Sequence, residues 1–467
     1  MIEKLRIETD RQRRFFMEEY WKKRLPILCG ALGGAMLAGV VPACAGLRLA
    51  GGEDCFFLIV ALLALAALGL ALVWRETRRA DWVLAAILPI GAAMLVRALC
   101  LDYASGDYNT FLCHWYDYFK TNGGIEAIAG SVGDYNVPYL YFIAAISYLS
   151  VPDLYLYKLF SILWDVLLAW GCLRLVRSLT RERQGSAAPL IAFSAALLLP
   201  TVVLNGAYWG QCDAIYGALC VHAAALVLEG KNKRSVALMG VAFAFKLQAV
   251  FVLPLWGMLW LAKKVKFREL WVFPLAYLAM IAPAMALGKP LADIVGVYLK
   301  QMGEYPRLTL NAPSAYQFVP YHAQLDQELA ARAGILAAGA LVLALLGLGL
   351  WLGDRLDRGA AMAAAVVLCV GVPFLLPHMH ERYFFLADVF TLCWACANVR
   401  RVPAAVLAGG ASLASYCVYL RLQYNFTWTV GKNLYVMPLE ALAMLAALAF
   451  ALWALAGEIR RTKERTV

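Results

Sequence analysis

The chain has 467 residues, 63% of them hydrophobic and only 16% charged, with a mean hydropathy of +0.67. That composition excludes an ordinary water-soluble globular domain, and apolar runs long enough to span a bilayer recur along it. The net charge of +11 needs no nucleic acid to explain it, because the basic residues gather on one side of the predicted membrane, where acidic lipid would face them.

The chain opens on the charged stretch "MIEKLRIETDRQRRFF", which does not read as a cleaved signal peptide. Residues 1–24 form either an amphipathic helix on the cytoplasmic surface, with Phe15, Phe16 and Trp21 toward lipid, or a solvated basic arm. Apolar length then predicts about fourteen membrane helices. They lie near 25–47, 55–74, 82–101, 154–176, 187–204, 212–228, 236–248, 250–263, 270–287, 333–352, 360–376, 384–397, 403–420 and 434–456. The pair 236–248 and 250–263 is short and reads as a broken, re-entrant hairpin or as two spans. The expected fold class is an all-α polytopic membrane protein, one integral membrane domain over 1–467, with no internal repeat and no soluble domain.

Charge orients this arrangement. With both termini in the cytoplasm, 30 of the 42 Lys and Arg fall in the N-terminal arm, at 75–79, 174–183, 231–234, 263–268, 355–358 and 400–401, and in the C-terminal tail. Every cytoplasmic connection then obeys the positive-inside rule. Residues 137–151, "VPYLYFIAAISYLSV", are short, and a crossing there would throw the basic stretch 177–185 outside. They are read as a helix lying along the outer surface. Three substantial stretches then face outward, 102–153, 288–332 and 377–383, with two short ones at 205–213 and 421–433. Polar and aromatic residues collect in them, so chemistry is expected on that face. Most of the twelve Cys lie in apolar helices, among them Cys29, Cys172, Cys220 and Cys369. Cys393 and Cys396 make a CxxC inside a span, where small-residue packing explains them better than redox or zinc chemistry. Cys100 and Cys113 both fall near the outer face, where they could pair.

Five constellations could carry chemistry. In 101–142, Asp102, Asp107, Asp117, Glu126 and Asp134 stand among Tyr and Trp residues. A carboxylate just outside a helix end can take a proton from an attacking hydroxyl, although plain hydration at the interface accounts for any one of them. Asp107 is favoured because "SGDYN" offers a turn to present it, ahead of an amphipathic segment, 108–120, that carries His114 and Trp115. In "LNGAYWGQCDAIYG" (204–217), Trp209, Gln211 and Asp213 form a compact polar and aromatic knot able to bind a sugar hydroxyl, while Asp213 equally suits the start of a helix. Lys246 lies between apolar runs at the proposed break. A lysine there must snorkel or pair, and a lipid-linked phosphate is a natural partner. The loop 303–322, with Arg307 and Asn311, either covers a site as a lid or caps the helix bundle. Finally, "PHMHERYFF" (377–385) places His378, His380, Glu381 and Arg382 together. Arg with two His suits a phosphate, with Glu381 to orient one of them. HxH can also ligate zinc, but no third ligand stands nearby in sequence, so neither metal nor cofactor is expected.

These motifs share an order with a known family. "GDYNTFLCHW" followed by "GDYNVPYLYF" resembles the first outer loop of GT-C glycosyltransferases of the ALG type, the dolichyl-phosphate-glucose-dependent glucosyltransferases of N-glycan assembly, whose pattern runs "GDFEAQRHW … DYPPLTAY". "YWGQCDAIYG" is similar to their "HFQYNG", and "PHMHERYFFLADVF" to their "HEK" motif. "WGQxD", "LTLNAP" and "HERY" bring the chain closer to bacterial proteins related to the GPI mannosyltransferase II. The resemblance covers the chain from about residue 97 onward, and the two helices in 25–74 have no counterpart in the pattern. Asp107 and His114 are one residue further apart than in the ALG pattern, one of two prolines is missing, and HER replaces HEK.

The resemblance implies a GT-C fold and an inverting transfer of a hexose, mannose for instance, from a polyprenyl-phosphate donor. The acceptor would be a lipid-linked or envelope glycan on the outer face of the plasma membrane. It also implies that the matching first-loop acid, Asp107, is the catalytic base. Arg382, His378 or His380, and Lys246 could then stabilise the departing lipid phosphate. His114, Trp115, Asp134, Tyr135, Trp209, Gln211, Asp213, Arg307, Asn311 and Glu381 would line the substrates. No Walker-type or GxGxxG nucleotide signature is present. Two rivals stand beside this reading. A glycolipid transporter or flippase needs polar groups through mid-membrane, for which Asp165, Asp388 and Glu440 are the few candidates. An envelope polysaccharide polymerase shares lipid-phosphate substrates but not this motif order.

Overall fold

The structure, a computed structural model, describes residues 2–181, 183, 185–303, 307–319, 326–422 and 436–464. The side chains of Phe15, Phe16 and Trp21 lie outside the described residues, as do parts of the expected outer stretches 288–332 and 421–433. The protein is 82% helical, and the strand content of the described residues is a two-residue parallel pair, Thr309–Leu310 with Met379–His380. Lipid imposes this economy, because a helix satisfies its own backbone groups where water cannot.

Among the described residues, nine helices are long and apolar enough to cross a membrane, or ten if one bent pair counts as a span. The chain is therefore a multi-pass membrane protein. Each of the fourteen predicted segments contains helix among its described residues, but fourteen is not the number of full spans. Asp213–Leu228, Asn232–Phe245, Pro254–Leu261 and Phe385–Ala397 have 16, 14, 8 and 13 residues. At about 1.5 Å per residue none reaches across the roughly 30 Å of a hydrocarbon core. Apolar length in the sequence overcounted because these helices are apolar for burial in protein rather than in lipid.

The predicted span 187–204 is also corrected. It breaks at Leu199 into Ala188–Leu198 and Pro200–Trp209, bent by 44°. Pro200 has no N–H to give the preceding turn and pushes Leu199 out of helical geometry, to φ −59° and ψ 120°. The proposed break at Lys246 is present, since Asn232–Phe245 ends there in extended backbone, φ −154° and ψ 133°, before a 3-10 turn at Leu247–Phe251. Val137–Ile146, ten residues, is too short to cross, as expected; the Asn136 side chain caps it by accepting from the Val137 N–H at 2.8 Å.

The chain, read from sequence as one domain, forms two compact units, Met1–Asp102 and Tyr103–Val467. In the first, the basic arm and the first span are one continuous helix, Ile2–Ala45, followed by Gly52–Thr77 and Ala80–Cys100. Two glycines set its packing. Gly33 and Gly91 lie where helix backbones touch, and a Cβ on either would collide with main-chain atoms across the contact. Asp102 closes this unit, both its oxygens accepting from the Arg48 N–H at 3.1 Å, so it is a structural acid.

In the second unit Asp213–Leu228, Arg358–Leu375 and Phe385–Ala397 are buried nearly all round, and the first two matter most for the site. By contrast Gln327–Leu352 leaves Leu336, Leu343 and Leu350 exposed, as a lipid-facing helix does. Asp213–Leu228 and Arg358–Leu375 set the position of the polar residues described next, because Asp213 opens one helix and "PHMHERYFF" follows the other. Gly33→Leu should destabilise the first unit by at least about 1–3 kcal/mol through overpacking. The check is a drop in the melting temperature of the detergent-solubilised protein, with the exposed control Gly34→Leu, which meets no atom within 4 Å, near wild type.

Candidate functional site

The site begins at a helix start. Ser105 Oγ accepts from the Tyr108 N–H at 3.1 Å and donates to the Trp209 carbonyl at 2.8 Å, so one hydroxyl caps a helix and joins two distant segments. Asp107 stands in the first turn after that cap. The backbone then widens into a π-turn at Tyr108–Leu112 before continuing as Cys113–Thr121. A second π-turn, Leu204–Trp209, ends at Gly210, where φ is 83° and glycine is favoured. Two π-turns meeting at one carboxylate mark a place where regular helix has given way to side-chain placement.

Asp107 is held by three donors. Trp209 Nε1 and Gln211 Nε2 donate to Oδ2 at 3.1 and 2.6 Å, and the Tyr419 hydroxyl donates to Oδ1 at 2.5 Å. The Arg382 guanidinium lies 3.7 Å from Oδ2, and the same nitrogen is 3.6 Å from Glu381. Arg382 also lies over the Trp209 and Tyr383 rings, at 5.4 and 5.8 Å. Asp107 keeps 16% of its side chain exposed, enough for a small group to reach it. Glu381 is only 1% exposed, and neither of its oxygens is hydrogen-bonded. Burial pushes its carboxyl up to about 7, with the Arg382 charge holding it back. Burial, then Arg382 and Lys246, drive the His380 imidazole down to about 2. His380 is therefore neutral, and offers a phosphate a hydrogen bond rather than the second charge a protonated histidine would add.

Lys246 forms a buried ion pair with Asp213 and lies over the Tyr135 and Tyr216 rings, at 5.3 and 5.9 Å. It thus neither snorkels nor stands as a bare charge. Asp213 stands at a helix start, as its position in the sequence suits. It is also tied into a polar network, with Asn205 donating to Oδ2 at 2.7 Å. The same Asn205 amide donates to the Tyr416 hydroxyl at 3.0 Å. Tyr135 completes the group by donating to Gln211 Oε1 at 3.1 Å. Trp115 meets the Tyr135 ring edge-on at 5.6 Å, under Gly133, where φ is 71° and a Cβ would come within 3.1 Å of the indole.

Asp107, Trp115, Tyr135, Trp209, Gln211, Asp213, Lys246, His380, Glu381 and Arg382 are thus brought together. Others of the candidate set are not. Asp134 pairs with Lys300 at 3.0 Å on the surface. His114 takes no part in the network. Arg307 and Asn311 act through backbone. The Arg307 carbonyl accepts from His378 Nδ1 at 2.8 Å, and Asn311, at φ 57°, bridges to His380. Residues 307–311 are therefore clipped to "PHMHERYFF" by main-chain bonds, including His378 N–H to the Leu308 carbonyl at 2.8 Å. His378, at φ 61°, sits in this clip.

Four participants escaped the sequence reading: Ser105, Asn205, Tyr416 and Tyr419. Asn205, a polar residue in an apolar run, was the available signal. The two tyrosines looked like ordinary interface aromatics. Asp388 accepts from Ser412 at 2.8 Å and Glu440 from Ser415 at 2.9 Å, hydroxyl contacts typical of helix packing in membranes. Among the described residues no three His, Cys, Asp or Glu are grouped to hold a metal ion. All twelve cysteines are free thiols, Cys100 and Cys113 included. No protein-family model matches the chain, and no curated protein matches it significantly.

The arrangement joins a positioned, partly exposed carboxylate to a fixed guanidinium, which suits proton abstraction beside a developing negative charge. Glu381 supplies a pH test. Its carboxyl titrates higher in the fold than when unfolded, so its contribution to stability is full below the ordinary glutamate range and is lost as pH rises through about 7. Glu381→Gln should remove that loss. Relative to wild type its melting temperature should rise steadily between pH 5 and pH 8, the difference reaching the equivalent of about 3 kcal/mol. A difference independent of pH would contradict a buried, titrating Glu381.

Proposed function

We propose that the chain is a GT-C glycosyltransferase that moves a hexose, such as mannose, from a polyprenyl-phosphate donor to a lipid-linked or envelope glycan. The observation that carries this reading is Asp107, held by Trp209, Gln211 and Tyr419 with the Arg382 guanidinium 3.7 Å away. The motif resemblance from about residue 97 onward supports it, since Asp107 matches the family's first-loop acid. The acceptor hydroxyl gives its proton to Asp107 as its oxygen attacks C1 of the sugar. The bond from C1 to the phosphate oxygen breaks, and the polyprenyl phosphate leaves with the electron pair. One displacement inverts the anomeric centre. Arg382 meets the charge that develops on the leaving phosphate, and Lys246 adds to the field although it is itself paired with Asp213. The distribution of Lys and Arg favours cytoplasmic termini and a site on the outer face of the plasma membrane.

Purified protein in lipid nanodiscs, given synthetic polyprenyl-phosphate-mannose or -glucose and extracted lipid acceptors, tests this directly. Transfer of sugar is the expected result, and none from either donor would count against the reading. Asp107→Asn should lower kcat by about 10²–10⁴, the range for loss of a general base, and a wild-type rate would remove Asp107 from that role. Arg382→Ala should lower kcat by about 10²–10³. Unchanged turnover and donor KM in that variant would take Arg382 out of the site.

A further inference from the structure

The two oxygens of Asp107 are not equivalent. Oδ2 accepts from Trp209 at 3.1 Å and Gln211 at 2.6 Å and faces Arg382 at 3.7 Å. A carboxylate oxygen offers about two lone-pair directions, so Oδ2 is saturated. Oδ1 receives one donor, the Tyr419 hydroxyl, at 2.5 Å. We infer that Tyr419 is a positioning residue that makes Oδ1 the proton-accepting atom of Asp107 and sets its basicity. The inference rests on the transferase reading for the identity of the hydroxyl that is deprotonated.

Tyr419 is well placed for this. Its ring stacks on the Trp209 indole, with centroids 4.5 Å apart and planes at 22°, so the phenol is aimed by the residue that holds the other oxygen. Tyr416, one turn earlier on Val402–Tyr419, meets the same indole edge-on at 5.6 Å. Its hydroxyl is turned instead to Asn205, whose amide also serves Asp213. One helix therefore presents Tyr419 to Asp107 and Tyr416 to the Asn205 amide. A phenol is a neutral donor. It stabilises the carboxylate without cancelling its charge, and it leaves the second lone pair of Oδ1 for an incoming hydroxyl. In the step, that hydroxyl's proton goes to Oδ1, its oxygen forms the new bond to C1, and the phosphate oxygen departs with the old bonding pair.

Tyr419→Phe keeps the ring stack and removes the donor. Losing a hydrogen bond to the charged form makes a carboxyl protonate at higher pH. The protonated Asp107 carboxyl can be followed by infrared difference spectroscopy across a pH titration, its band assigned by its absence in Asp107→Asn. The midpoint should move up by about 1–2 pH units in Tyr419→Phe, as expected for one hydrogen bond to a charged group. Tyr416→Phe should leave the midpoint in place. The acid limb of the transfer rate should move with the Tyr419→Phe titration. An unmoved midpoint in folded Tyr419→Phe protein, or an equal shift in both variants, overturns the inference. A shifted midpoint in a protein that transfers no sugar upholds it and counts instead against the transferase reading.

Discussion

The polar residues gathered at the candidate site converge on one partly buried carboxylate, Asp107. Asp107 accepts from Gln211, 104 residues away, and from Tyr419, 312 residues away, while Arg382 approaches from between them. An anion at the margin of an apolar bundle is stable only when donors replace the water it has lost. The donors come from distant parts of the chain, Trp209 and Gln211 at the turn before Asp213–Leu228 and Tyr419 at the end of Val402–Tyr419, so the helices that carry these ends must be in place before the anion is satisfied. In turn the anion penalises any packing that pulls those helices apart. The Ser105 hydroxyl, bonded to the Trp209 carbonyl, locks the two π-turns to each other beneath it.

Charge balance extends the same constraint. Two cations, Lys246 and Arg382, face three carboxyl groups, Asp107, Asp213 and Glu381. Lys246 and Asp213 neutralise each other at the broken helix end, where the extended backbone at Lys246 swings the side chain toward the start of Asp213–Leu228. Glu381 titrates near neutral pH, so the group as a whole is close to uncharged without a ligand. An anionic ligand would favour the protonated Glu381 and find Arg382 less compensated.

The sequence disclosed the helices because apolar runs are a direct record of where backbone meets lipid or core, and it disclosed Asp107, Trp209, Gln211 and Arg382 because polar residues clustered at helix ends are conspicuous against such runs. It did not separate lipid-facing from protein-facing apolar helices, which is why Asp213–Leu228 and Phe385–Ala397 counted as spans. The same run of small and branched residues serves either environment. The partner of Lys246 was hidden because it lies 33 residues back on another helix. Tyr419 was hidden for a different reason. A tyrosine at a membrane helix end is common, and nothing local distinguishes one that holds a carboxylate from one that anchors in lipid headgroups. The Leu199 break had a local signal in Pro200, which apolar length alone passed over when it counted 187–204 as one span.

The short parallel pair between Thr309–Leu310 and Met379–His380 has a consequence for how this protein can change over time. It is held by main-chain groups, and the Thr309 hydroxyl adds a bond to the Ala312 carbonyl at 3.2 Å. Its register is constrained, because a slip of one residue reverses which side chains face each way along a strand. His380 would exchange faces with its neighbours, and the Glu381–Arg382 turn that follows would be re-aimed away from Asp107. Single-residue insertions or deletions between the clip and the next helix on either side should therefore be rare, and a length change would mark a lineage whose chemistry had diverged.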